Sequence, residues 1–329
     1  MSDFSAGFFR PFCGCDFPAD AQASDPLCGR YAMREERRKE MRDFVITTDN
    51  TTDLPHDYYE KNHIEYLYLS YTLDGKNYKK NAEMDPKEFY QRMRQGSMPT
   101  TSQANAEETM DTWRPILDSG KDILHLAFSS GLSGSCNSAK IAAEELRESY
   151  PDRKIIVVDS LCASLGEGLF VDYAVEMKKA GKDMEEIAGW LEAHKLNFCH
   201  VFTVDDLNHL YRGGRVSRAA AVLGTMINIK PVLHVDNEGH LIPLGKVRGR
   251  KKSLIKLVDM MEERIGDWRD KQTKIFISHG DCLADAEYVK QLVQERFGYQ
   301  DFLINIIGAT IGTHSGPGTV ALFFLGDHR

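Results

Sequence analysis

Residues 123–139 read Ile-Leu-His-Leu-Ala-Phe-Ser-Ser-Gly-Leu-Ser-Gly-Ser-Cys-Asn-Ser-Ala. An apolar run of strand length, 123–128, passes through a Ser/Gly loop into a pattern of helical period at 135–149. A strand feeding a helix in this way is the repeating unit of a mainly parallel sheet covered by helices. The alternation extends outward in both directions. Strands are expected at 44–47, 64–71, 155–158, 200–203, 275–278, 303–307 and 320–325, and amphipathic helices at 86–94, 106–118, 168–179, 184–194, 253–268 and 284–297. Gly96, Gly120, Gly181 and Gly298 stand where helix C-caps belong. Residues 232–235 and 240–244, separated by Asp236-Asn237-Glu238-Gly239, read as a β-hairpin, which breaks the simple rhythm of the second half.

The expected architecture is therefore α/β in two domains, a Rossmann-like parallel-sheet domain over 43–200 and an α+β domain over 201–329, with no internal repeat. Residues 1–42 mix Gly, Pro, Ala, Asp and Ser with a charged run at 34–40, and read as an N-terminal extension compatible with disorder. Met33 and Met41 both precede the first strand, so a start codon assigned too far upstream is one reading of the extension. Residue 2 at the N-terminus of the native protein, found by mass spectrometry, would dispose of it.

Composition excludes several classes. The chain has 329 residues, 27% charged and 42% hydrophobic, enough to bury a core and an internal pocket without covalent staples. A net charge of −8 argues against a nucleic-acid binder, whose affinity comes from clustered Lys and Arg. No run reaches the roughly 18 apolar residues of a membrane span, and the start lacks the apolar core of a secretory signal, so the expectation is a soluble cytoplasmic protein. Seven cysteines read as reduced thiols, and the spacing of Cys13, Cys15 and Cys28 matches no common zinc pattern; no metal is expected. Between Arg212 and Lys256 stand ten Lys or Arg and two acids. That basic stretch is either a solvated face or a docking patch for a phosphorylated ligand or an acidic partner.

The loop from Ser129 to Ser135 carries the most chemistry. It aims the unpaired N–H groups of a helix start upward, while Gly131 and Gly134 permit close backbone approach and serine hydroxyls stand alongside, an anion site for a carboxylate or phosphate. The plainer reading is capping, with Ser133 or Ser135 closing the helix. Two similar clusters, Thr47 to Pro55 and Pro99 to Gln103, also follow strands or precede helices, and can converge with it at the carboxyl ends of the strands. Farther on, Tyr211 to Arg218 suggests a sharp turn at Gly213-Gly214 ahead of an apolar helix at 219–229, with arginines able to hold an anion. Gly308 to Gly318 reads as a glycine-rich strand-end loop, with His314 either a turn residue or a polar contact at the mouth of the site. Neither a Walker loop nor G-x-G-x-x-G is present, which argues against a nucleotide enzyme.

In order and spacing these segments resemble the DegV family of bacterial fatty-acid-binding proteins. The family's T-D-S-T-x-D-L-P appears as Thr48 to Pro55 with Asn50 for Ser; T-S-Q is Thr101 to Gln103; S-S-x-L-S-G-T-x-x-S-A is Ser129 to Ala139 with Ser135 for Thr. L-x-x-G-G-R-[IV]-S is Leu210 to Ser217, R-x-R-K-K is Arg248 to Lys252, and I-G-x-H-x-G-P-G is Ile311 to Gly318. The resemblance covers about 43–325. It implies a long-chain fatty acid in a tunnel between two domains, with no other cofactor. Its carboxylate would be held by Thr101, Ser133 and the Gly134 and Ser135 amides at the helix start. The resemblance further implies a partner, a separate fatty acid kinase that forms acyl phosphate from ATP for phospholipid synthesis, with only transient membrane contact. Arg248, Arg250 and His314 are then surface groups that assist the kinase encounter or the phosphoryl step, and the chain itself needs no catalytic residue. The rival reading is a serine hydrolase using Ser133, Asp159 or Asp205, and His314; position 135 is Ser where the nucleophile elbow G-x-S-x-G requires Gly.

Overall fold

The apolar run after Asp43 forms β1 (Phe44–Asp49), at the centre of a sheet whose four strands are all parallel. Its order is β2 (Glu65–Leu67), β1, β6 (Asp122–Ala127), β7 (Ile155–Asp159). Ile46 pairs with Leu124, and Leu124 with Ile156. Helices α3 (Ala106–Asp118) and α4 (Ser135–Ser149) cover one face, where Trp113, Leu117, Ala142 and Leu146 pack on Ile123 and Ile155. A capping box at Asn105 and Glu108 starts α3. Helix α1 (His56–Asn62) follows β1, and α2 (Pro86–Arg94) lies in the chain between the second and third strands of a small sheet ordered β4 (Lys76–Tyr78), β3 (Tyr71–Leu73), β5 (Thr100–Thr101). The computed structural model describes residues 42–79, 84–217, 228–272 and 274–329. The N-terminal extension with its three cysteines, and the apolar helix expected from 219, lie outside the described residues except for the end of that helix span, where Ile229 begins a strand.

A second sheet is mixed, in the order β10 (Leu241–Arg248), β9 (Ile229–Val235), β8 (Phe198–Thr203), β13 (Val320–Leu325), β11 (Lys274–His279), β12 (Asp301–Ile306). The hairpin read from the sequence is β9 and β10, paired antiparallel. Its outer face is covered by α8 (Arg250–Arg264) and α9 (Leu283–Phe297). Between the two sheets runs α5 (Leu165–Lys179), followed by α6 (Met184–His194) and, after β8, the short α7 (Asn208–Arg212). Phe170 and Leu169 pack in one cluster with Leu124 and Leu126 of the first sheet and Phe198 and Phe323 of the second. A helix enclosed on both sides has no room for a side chain at its closest approaches. At Gly166 a Cβ would lie 2.1 Å from His200 Nε2, and at Gly168 one would lie 2.9 Å from the Thr52 carbonyl oxygen.

Three expectations are corrected. The run 64–71 is two strands, β2 and β3, in different sheets. The break falls where Asn50 takes over the backbone of Leu69, accepting from its N–H at 2.9 Å and donating to its carbonyl at 3.3 Å, so Leu69 makes no ladder bonds there. The glycine-rich segment 308–318 is not a plain loop but holds the short helix α10 (Ala309–Ser315). The helix expected at 253–268 starts three residues earlier at Arg250 and ends at Arg264. Among the described residues no helix is long and apolar enough to cross a membrane.

Candidate functional site

A cavity of about 220 Å³ opens between the loops of the first sheet and the inner face of the second. Much of its wall is apolar, with Leu69, Phe128, Phe202, Leu241, Ile311 and Phe323, and the Ser164, Ser278 and Thr310 hydroxyls that also line it are tied to protein partners. Polar groups collect at one end, where Thr101, Gln103, Ser133, Gly134, Arg215 and His314 line it. Ser102, Gln103 and Gly134 are exposed, so the polar end is the mouth.

Sequence-distant pieces meet there through specific contacts. Gln103 docks the T-S-Q segment on the serine loop by donating to Ser138 Oγ at 3.1 Å, and its Oε1 occupies the space a Cβ at Gly134 would need, 2.2 Å away. This close approach explains the glycine. Ser133 Oγ receives the Ser135 N–H at 3.2 Å and lies 2.9 Å from Ser135 Oγ. With the Ser135 hydroxyl also donating to it, Ser133 keeps its own proton for a group in the cavity. The N-cap position itself is Gly134, without a side-chain cap; Ser133 takes up the first N–H of α4 from the residue before it.

Thr101 Oγ1 stands 2.8 Å from His314 Nε2. Burial, and then the nearby Arg215 guanidinium, push His314 down to about 4, so its ring is neutral at pH 7. With the proton on Nε2, the ring donates to Thr101, and the threonine hydroxyl is free to donate onward to an anion. Of the two readings of His314, turn residue or polar contact at the mouth, the structure matches the second: α10 places the ring in the cavity wall, half-buried, rather than at the open surface that the resemblance implies. Its other nitrogen, Nδ1, lies where a Cβ at Gly213 would come within 2.1 Å, and Gly213 has an ordinary helical φ of −71°. The glycine is there for room. Gly213→Ala is expected to displace the imidazole, break its hydrogen bond to Thr101 and cost about 1 kcal/mol of stability. Urea unfolding checks this; an unchanged midpoint would contradict the placement of His314.

Arg215 was read as an anion holder. Its guanidinium donates to the Leu132 carbonyl at 3.0 and 3.2 Å and to the Gly213 carbonyl, which ties the serine loop to the turn beneath His314. Arg250, expected at the surface for a kinase encounter, is instead largely buried between Asp285, at 2.8 Å, and Asp205, at 3.6 Å. Arg248 ends β10, exposed, and does not line the cavity. The Thr47 to Asp53 cluster does not reach the cavity either. Its side chains are buried, with Thr48 Oγ1 donating to the Leu126 carbonyl and Thr51 Oγ1 to Glu167. Among the described residues no hydrolase triad is assembled. His314 pairs with Thr101 rather than Ser133, Asp159 accepts from the Ser130 and Leu161 amides, and Asp205 pairs with Lys230 at 2.6 Å.

Sequence reasoning missed two features. Glu167, read as part of a helix start, is a fully buried acid beside Asp49 and Asp53, and burial raises all three. Arg329 is buried at 7% exposure and its guanidinium binds the carbonyls of Leu161, Lys195 and Asp236 at 2.7, 2.8 and 3.0 Å. No local pattern announces either one.

Residues 43–327 match the family described as "uncharacterised protein, DegV family". A DegV domain-containing protein of Clostridium perfringens is 47% identical over 291 residues, 88% of this chain and 99% of that protein. Among solved structures, one described as fatty acid binding of a DegV family protein from Thermus thermophilus is 32% identical, with a TM-score of 0.75 over 87% of this chain and 100% of its own. A stearic-acid-binding protein from Eubacterium ventriosum is 26% identical, with a TM-score of 0.78 over 86% of this chain and 98% of its own. On a family match that spans both sheets and a relative identical at nearly half its positions, this chain belongs to the DegV family.

Proposed function

We propose that the protein binds one long-chain fatty acid, tail inward, and presents its carboxylate at the mouth to a separate ATP-dependent fatty acid kinase that forms the acyl phosphate. The observation that carries the reading is a largely apolar cavity whose exposed end brings the Thr101 and Ser133 hydroxyls together with the start of α4. The ligands named for the Thermus and Eubacterium proteins support it. At about 220 Å³ the cavity holds on the order of ten methylene-sized groups. Burying ~12 methylenes at about 0.8 kcal/mol each gives roughly 10 kcal/mol of gross driving force, partly offset by the cost of association and ordering. The tail then supplies affinity and the head supplies orientation. Neutral hydroxyls hold the carboxylate without a tight ion pair, which leaves it reactive toward a kinase whose catalysis is positioning and charge neutralisation.

Thr101→Val and Ser133→Ala are expected to cut acyl phosphate formation about tenfold each while the tail stays bound, since each removes roughly one donor to a charged group. Kinase-coupled turnover set against the fatty acid content of the same samples tests this; equal losses of both would refute the division of labour. The exposed basic run of Lys246, Arg248, Lys251 and Lys252 suits an acidic partner surface. Arg248→Ala should slow the kinase reaction and leave lipid occupancy intact.

A further inference from the structure

We propose that the facing pair His200 and Phe323 is the end plate of the cavity and sets the length of acyl chain the protein accepts; the inference rests on the fatty acid reading above. Strand register gives the cavity its axis. On β13, Thr319 just before the strand, then Ala321 and Phe323, line the cavity in succession, and Leu325 does not. On the neighbouring β8, Phe202 and His200 line it and Phe198 does not. Phe202 pairs with Ala321 and His200 with Phe323, so these side chains form successive rows. Thr319 closes on the helix end that carries His314, its hydroxyl donating to the Ser315 carbonyl at 2.9 Å, so that row is nearest the mouth. Four residues of strand separate it from the last row, about 13 Å, the span of roughly ten extended methylenes.

The last row is closed and cannot retreat. The two rings meet edge to face with centroids 5.2 Å apart. Behind them stands α5, where a Cβ at Gly166 would lie 2.1 Å from His200 Nε2 and 2.7 Å from Phe323 Cδ1. Both imidazole nitrogens are spent on backbone: Nδ1 faces the Phe198 carbonyl at 3.0 Å and Nε2 accepts the Ala163 N–H at 3.3 Å. Only the carbon edge of the ring is left for a ligand, so the histidine acts here as an apolar wall.

The test is competition binding with saturated fatty acids of even length from C12 to C20, on wild type, Phe323→Leu and Ala321→Val. Each methylene admitted or excluded changes affinity about fourfold. Phe323→Leu deepens the floor and is expected to move the optimum two carbons longer. Ala321→Val fills the row nearer the mouth and is expected to move it shorter, a result that stands even if Phe323→Leu folds poorly. Unmoved optima in folded variants would overturn the end plate. Wild type that takes up none of the acids would instead sink the fatty acid reading itself, a separate outcome.

Discussion

Arg329→Met is expected to lower the stability of the fold by roughly 3–5 kcal/mol, the largest loss from any single change considered, because each buried acceptor left unpaired costs about 1–3 kcal/mol. One guanidinium joins three separate stretches of chain: the loop after β7 at Ser160 and Leu161, the turn at Lys195 before β8, and the hairpin turn at Asp236. That hairpin turn also receives the Ser129 hydroxyl at the Gly239 carbonyl, 2.9 Å, so it is seated on the serine loop. Loss of the arginine therefore reaches the mouth as well as the core. Urea unfolding followed by circular dichroism measures the effect, and a change below about 0.5 kcal/mol, the range of an ordinary surface substitution, would contradict it.

Glu167→Gln is expected to become progressively more stable relative to wild type as pH rises from 5 to 8. Burial raises Glu167 well above its ordinary value of 4.5, with the Asp49 and Asp53 carboxyls adding to the effect. A carboxyl that keeps its proton longer in the fold than in the unfolded chain stabilises fully below about pH 4.5. That contribution is lost as pH climbs toward the folded value. Glutamine carries no such loss. The gap between the two proteins grows by at most about 1.4 kcal/mol per pH unit, up to roughly 4 kcal/mol over the range. The amide also fits: Thr51 Oγ1 donates to Oε2 at 2.8 Å, and Thr48 Oγ1, whose proton goes to the Leu126 carbonyl, lies 3.3 Å from Oε1, ready to accept. Asp49 and Asp53, both pushed up to about 7 by burial, contribute in the same sense. His125, lowered to about 3, contributes in the opposite sense. All three remain in both proteins, so the difference reports Glu167 together with its coupling to Asp49 and Asp53. Unfolding midpoints at pH 5, 6.5 and 8 decide the matter; a constant gap would mean the acid is ionised in the fold.

The α/β alternation was legible because apolar runs with strand and helix periods are local signals, and the hairpin because Asp-Asn-Glu-Gly is a local turn signal. The serine loop and T-S-Q segment were legible for the same reason, as strand ends and helix starts that carry hydroxyls. What could not be read locally is what long-range packing decides. The strand break at Leu69 depends on a side chain nineteen residues earlier, Asn50. The two readings of His314 could not be decided locally because its direction is set by a helix too short and too glycine-rich to declare itself, and by the space left at Gly213. Arg250 looked available because its partners, Asp205 and Asp285, stand 45 residues before and 35 residues after it in the chain. The end plate required the register of two strands separated by more than a hundred residues.

The most direct test of the central claim is lipid extraction and mass spectrometry of the purified protein, followed by titration of delipidated protein with palmitate. The account predicts close to one long-chain fatty acid per chain, and stoichiometric rebinding that Thr101→Val and Ser133→Ala weaken without abolishing. Protein that emerges free of lipid and takes up no palmitate would contradict it.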